Sequence, residues 1–178
     1  MKLYIKALRV FSKDKKIDSG LYNIFAFDSF EGLPNFTGER DYNPNWQAGL
    51  YSGSEADIIA TVKAGGTKAK ITTIRGFYEE SLTNNLYITM AKNPPSIVNI
   101  DVDFYSSAIT VLNWLYPLLQ NGTLIYFDDV YDYLGDPRKG ELAAIKHFSE
   151  RKGVSLTPFY QHGIPLVFGK SFIFNRID

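Results

Sequence analysis

Residues 99–129 read NIDVDFYSSAITVLNWLYPLLQNGTLIYFDD. Two short apolar runs, 97–100 and 123–127, flank a stretch over 108–119 whose Ile109, Leu112, Leu115 and Tyr116 fall on one helical face. The runs are mostly apolar and alternate with a helix, as in strands of a parallel sheet covered on both faces. Each ends in acid: Asp101 after the first, the pair Asp128-Asp129 after the second. The stretch is a strand–helix–strand unit with carboxylates at the C-terminal ends of its strands, the edge where open α/β sheets bind ligands.

The same pattern extends in both directions. Upstream, the apolar strand 23–27 ends at Asp28, and the strand 70–74 ends at Arg75-Gly76-Phe77. Between them Ser52 and Glu55 make a capping box for a helix over 56–63, which Gly65-Gly66 stops. Leu3, Ala7, Val10 and Phe11 recur at helical spacing and predict a first helix. Downstream come a helix over 140–151 and two closing strands, 155–160 and 171–175, the last expected to run antiparallel. Strands alternating with helices predict one α/β domain, residues 1–178, around a mostly parallel sheet. Residues 32–49 are rich in Gly, Pro and Asn without periodicity, and 35–51 are expected to form a mobile lid.

Composition removes several classes of function. Lys plus Arg equals Asp plus Glu at 19 each, so no net charge draws the chain to nucleic acid or to a membrane surface. No cysteine is present, which excludes thiolate catalysis and Cys-ligated zinc and suits a cytoplasmic location. No apolar run approaches the ~20 residues that span a bilayer, and Lys2, Lys6 and Arg9 interrupt the apolar start.

The acids carry the functional reading. Asp28 after a Rossmann-type strand suits the ribose hydroxyls of a nucleotide-like cofactor, although Asp28-Ser29 is also ordinary turn and capping chemistry. Three carboxylates in one cleft at Asp101, Asp128 and Asp129 repel one another unless a cation compensates. Oxygen-only donors select a hard divalent ion, Mg²⁺ being the usual one. Such an ion lowers the pKa of a bound hydroxyl, and one of the carboxylates can take the proton as general base. The structural alternative is that Asp128-Asp129 caps a turn and Asp101 bonds backbone amides. Asp103 suits the same cluster or the N-cap of the following helix. His147 reads as a structural or solvated helix residue. His162 lies in a loop that opens toward the ligand edge if the penultimate strand runs parallel, which would make it a substrate contact.

At these residues the sequence resembles the macrocin O-methyltransferase family of sugar methyltransferases. The matching segments are FDSFEGLP at 27–34, IRGFYEESL at 74–82, 99–129 as quoted, and GELAAIKHF at 140–148. The resemblance implies a Rossmann-like class I methyltransferase sandwich with S-adenosylmethionine as methyl donor. It implies cofactor contacts at Asp28, Ser29, Gly76 and Phe77, Mg²⁺ at Asp101, Asp128 and Asp129, and Asp101 as base. The partner it implies is a small-molecule hydroxyl acceptor of sugar type.

In that family a first strand with a glycine-rich turn precedes the first helix. Here Met1 opens on the helix, so the sheet is expected to lack its usual first strand, and the chain to bind the cofactor weakly or not at all and to turn over little. A second copy of the chain is one way to cover the strand edges left open. Two alternatives stand beside the enzyme: a non-catalytic remnant of the same domain, and a metal-dependent phosphatase or glycosyltransferase reading Asp101-Val102-Asp103 as Asp-x-Asp.

Overall fold

The computed structural model describes residues 22–64, 66, 68–162 and 169–177; the helix expected around residues 3–11 lies outside them. The described residues form two compact units, one of 22–34 and 48–77, the other of 35–47 and 78–177.

In the first unit, β1 (Asn23–Asp28) pairs in parallel with β2 (Lys70–Arg75), from Asn23 opposite Lys70 to Asp28 opposite Arg75. The connection carries α1 (Glu55–Ala64). Its cap is not the expected Ser52–Glu55 box. Ser54 Oγ accepts the Asp57 amide at 3.2 Å and donates to Asp57 Oδ2 at 2.7 Å, two residues further on. Glu55 turns away to accept the Thr73 hydroxyl from β2, and that bond removes it from capping. The helix ends at Ala64, and Gly66 follows with φ 73°.

The second unit holds a four-stranded sheet in the order β3-β4-β6-β5. β3 (Ile97–Ile100) and β4 (Leu124–Phe127) are parallel. β6 (Gly169–Arg176) runs antiparallel to β4, as its sequence predicts, and β5 (Val154–His162) antiparallel to β6. β5 therefore points the same way as β3 and β4, and its last pair, His162 with Gly169, lies at the edge where those two strands end. Among the described residues the strands fall in two sheets. Among the described residues no strand pairs with the remaining edge of β1 or of β3.

Four helices surround the second sheet's strands in sequence. α2 (Tyr78–Ser81) and α3 (Asn84–Ala91) are short and carry little periodic apolar signal, so sequence reading passes over them; α3 is marked by its cap, Thr83, which accepts the Leu86 amide. α4 (Tyr105–Leu115) starts three residues before the expected helix and gives way to a 3₁₀ turn at Tyr116–Leu118, where Pro117 cannot donate to an α-helical ladder. α5 (Gly140–Lys152) ends at Gly153, whose φ of 59° is a left-handed C-cap. α4 and α5 pack against each other, with Ala108, Leu112, Ala143, Ala144 and Phe148 buried. Ile100, Ile125, Phe127 and Phe174 of the sheet are buried with them. The ends of β3 and β4 are thereby anchored in core.

Candidate functional site

β3 and β4 are each four residues long and pair from Ile97 opposite Leu124 to Ile100 opposite Phe127. The ladder runs one bond further, from the Asp128 amide to the Ile100 carbonyl at 3.1 Å. This register delivers the acids after both strands to one place. Asp101, Asp128 and Asp129 each present a carboxylate oxygen, all within 4.8 Å of one another. A second trio, Asp103, Asp129 and Asp132, meets the same spacing and shares Asp129.

The turns are shaped to bring the acids in. Asp103 has φ 59°, a left-handed conformation that residues with a Cβ seldom adopt, and the Phe104 amide closes on the Val102 carbonyl at 2.5 Å. Asp103 is not the N-cap of α4; that position is Phe104, and Asp103 faces Asp129 and Asp132. Asp128 is held by the Tyr126 hydroxyl, which donates to its Oδ1. Gly169 on β6 leaves room for that phenol, since a Cβ there would run into the Tyr126 hydroxyl.

Beneath the cluster lies Glu141, in the first turn of α5 and fully buried. Its Oε1 accepts the Val102 amide at 3.4 Å and its Oε2 the Asp129 amide at 3.0 Å, so it ties the two acid-bearing turns together. Burial first, and Asp129 second, hold its carboxyl well above the usual range.

So many carboxylates cannot all ionise together at ordinary cost. Burial and then the charges of Asp103, Asp132, Asp101 and Asp128 push Asp129 up to about 9. Burial and then Asp101 and Asp132 push Asp103 to about 7, against the lowering effect of its hydrogen bond with Asp129. Asp132 is raised too, by burial first. Among the described residues no lysine or arginine forms an ion pair with Asp103, Asp128, Asp129 or Asp132; the ion pair found is Arg138 with Asp136. An all-oxygen donor set of this kind fits a hard divalent ion.

The first unit gathers the other named residues. Asp28 Oδ1 accepts the Phe30 amide at 2.7 Å, so the turn reading of Asp28 holds for one oxygen. Ser29 is buried; its hydroxyl accepts from the Glu31 amide and donates to the Gly32 carbonyl, both at 3.1 Å. Gly32, at φ 85°, lies against the Gly49 and Leu50 carbonyls so closely that a Cβ would collide with them. Leu33 bonds Leu50 and Gly49 in both directions, at 2.8 and 2.9 Å, which zips the ends of the long connection together. The Gly76 amide donates to the Asp28 carbonyl at 3.1 Å, and half-buried Phe77 follows it. Asp28, Ser29 and Gly76 are therefore neighbours at the C-terminal end of β1 and β2.

Within 35–51, expected as a mobile lid, Asp41 and Arg40 make hydrogen bonds to the second unit's helices. Asp41 is 2% exposed and is bonded on both carboxylate oxygens. His147, on α5, has its Nδ1 3.1 Å from Arg40 Nη1 and 3.2 Å from the Tyr105 hydroxyl. Burial, then Arg40, lowers its pKa. Sequence reading missed Asp41, Asp132 and Glu141. Asp132 is four residues past Asp128, a faint positional hint; Glu141 looks like any acid in a first helical turn.

Comparison with known proteins identifies the fold and the family. Among solved structures, CalS11, a calicheamicin methyltransferase, matches with a TM-score of 0.66 at 18% identity, over 91% of this chain and 64% of its own. The O-methyltransferase NovP matches with a TM-score of 0.62 at 16% identity, over 95% and 66%. A putative O-methyltransferase from Klebsiella pneumoniae matches with a TM-score of 0.53 at 16% identity, over 98% and 80%. The chain spans just under two thirds of the length of the first two. The fold is that of the Rossmann-like class I methyltransferases. A family model described as macrocin-O-methyltransferase (TylF) matches residues 12–158, and the chain belongs to that family. No curated protein sequence matches it. Among the described residues no helix is long and apolar enough to cross a membrane.

Proposed function

We propose that the protein is an S-adenosylmethionine- and Mg²⁺-dependent O-methyltransferase acting on a hydroxyl of a sugar or related small molecule, in the cytoplasm. The observation that carries the reading is the convergence of Asp101, Asp128 and Asp129 within 4.8 Å at the ends of two parallel strands. Family membership supports the methyl donor, and the all-oxygen donor set fits Mg²⁺. When bound, the ion supplies charge compensation and acidifies an acceptor hydroxyl. Asp101, Asp128 and Asp129 are the residues that would hold it.

The chain's own residues divide the remaining work. Asp101 is the exposed member of the trio and is the base to which the acceptor hydroxyl gives its proton. Tyr126 and Glu141 orient the turns that carry the acids. Asp28, with Ser29, Gly76 and Phe77 beside it, receives the cofactor; the Asp28 oxygen not used on Phe30 suits a ribose hydroxyl.

One experiment tests the whole reading. Methyl transfer from S-adenosylmethionine is assayed against nucleotide-linked deoxysugars, with Mg²⁺ and with a chelator. One solved structure of CalS11 is described as a TDP-rhamnose 3'-O-methyltransferase, which makes TDP-rhamnose the first acceptor to try. Transfer that needs Mg²⁺ and falls at least tenfold in Asp128→Asn is expected. Transfer indifferent to the chelator overturns the cation site, and no transfer to any such acceptor favours the non-catalytic alternative.

A further inference from the structure

α4 begins without a side-chain cap of its own, because Phe104 at the N-cap offers no acceptor. A helix N-terminus leaves amide N–H groups that need one. The acceptor comes from 65 residues upstream: Asp41 Oδ1 takes the Ser106 N–H at 2.9 Å. Asp41 Oδ2 takes the amide and hydroxyl of Thr37 at 3.2 and 3.0 Å. The backbone around Asp41 is used as well. The Arg40 carbonyl accepts the Gly140 amide at 3.0 Å, the Asp41 carbonyl accepts the Tyr133 hydroxyl at 2.8 Å, and the Tyr42 carbonyl accepts the Lys139 ammonium at 3.2 Å. Trp46, from the same segment, packs on Phe104 and Tyr133 with ring centroids 5.8 and 5.2 Å away.

Three consecutive residues thus reach the three segments that bring carboxylates to the cluster. Ser106 follows the turn of Asp101 and Asp103, Tyr133 follows Asp132, and Gly140 precedes Glu141. We propose that Asp41 is a positioning residue that holds these segments in register and, by capping α4 from outside, leaves Asp103 to face Asp129 and Asp132. A local acid one residue before the N-cap would otherwise compete for the same amides. The proposal rests on the reading of the cluster as a cation site, and its test separates the two.

Asp41→Asn keeps the side chain's shape but replaces one acceptor oxygen with a donor that faces N–H and O–H groups. Mg²⁺ titration of both proteins is read beside hydrogen exchange at 102–106, at 129–134 and in β4. The expected result is an affinity roughly tenfold or more weaker, with faster exchange in both turns and unchanged exchange in β4. Faster exchange confined to the start of α4, with Mg²⁺ binding intact, reduces Asp41 to a helix cap and overturns the proposal, as does no change at all. If the wild-type protein takes up no Mg²⁺ while both turns exchange faster in the variant, the positioning role stands and only the cation reading falls. Should Asp41→Asn not fold, Ser106→Pro removes the same bond from the helix side, in a first turn that tolerates proline, and the same two readouts decide.

Discussion

Asp41 and Asp129 belong to the same unit and are both withdrawn from water, yet their surroundings are opposite. The side-chain and carbonyl oxygens of Asp41 meet donors: two amides and a hydroxyl on the carboxylate, and a phenol on the carbonyl. Asp129 meets other carboxylates, and its own is pushed to about 9 by burial and then by Asp103. A buried carboxylate ringed by N–H and O–H groups is a structural fastener. A set of carboxylates facing one another is destabilising until a proton or cation joins it, and proteins keep such sets where function needs them. The contrast separates scaffold from site within one small region.

The comparison breaks most sharply on activity. Asp101→Asn should lower methyl transfer by about 10²–10⁴-fold, the range for a lost general base, while the metal-free thermal midpoint should not fall, because the substitution removes one of the charges that repel Asp129 and Asp103. A variant that turns over normally shows that the base lies elsewhere.

Asp41→Ala should act the other way, on stability first. Losing the acceptor for buried donors costs about 1–3 kcal/mol, read as a lower denaturation midpoint with or without Mg²⁺. A midpoint equal to wild type would mean that the donors find water and that Asp41 fastens nothing.

Stability is also expected to depend on pH. Asp129 and Asp103 in the folded protein bind protons up to about 9 and about 7, whereas unfolded carboxylates release them near 4. Between those limits the folded state holds more protons, so the metal-free protein should lose stability as pH rises from about 4 to about 9. Mg²⁺ should flatten that decline. Thermal midpoints across this range in chelator and in Mg²⁺ check it; a metal-free midpoint that rises with pH would place the acids outside a low-dielectric cluster.

The smallest effect sharpens the contrast from outside. Arg138 and Asp136 form a bidentate pair at 2.8–2.9 Å, which lowers Asp136 to about 2, but the Arg138 side chain sits in solvent at 85% exposure. Arg138→Ala should leave the thermal midpoint unchanged, because exposed ion pairs contribute little. A clear loss would mark the 128–140 connection as dependent on that pair.

What the sequence determined by itself follows from short-range rules. Short, mostly apolar runs bounded by turn residues marked β1 to β4. Acids at the ends of these strands marked Asp28, Asp101, Asp128 and Asp129, and within each sheet a parallel register then carries the strand-end residues to the same edge of that sheet. Only the tertiary structure decided which acids join them. Asp132 and Glu141 look like surface acids until the 128–140 connection and the first turn of α5 fold against the β3 and β4 ends. Asp103 looks like a helix cap until a left-handed backbone turns it inward and Asp41 takes over the capping. The segment around Asp41 carries no periodic pattern because it is held by hydrogen bonds to residues 65 to 107 positions away. Such bonds depend on where the chain returns in space, and no local spacing of residue types records that.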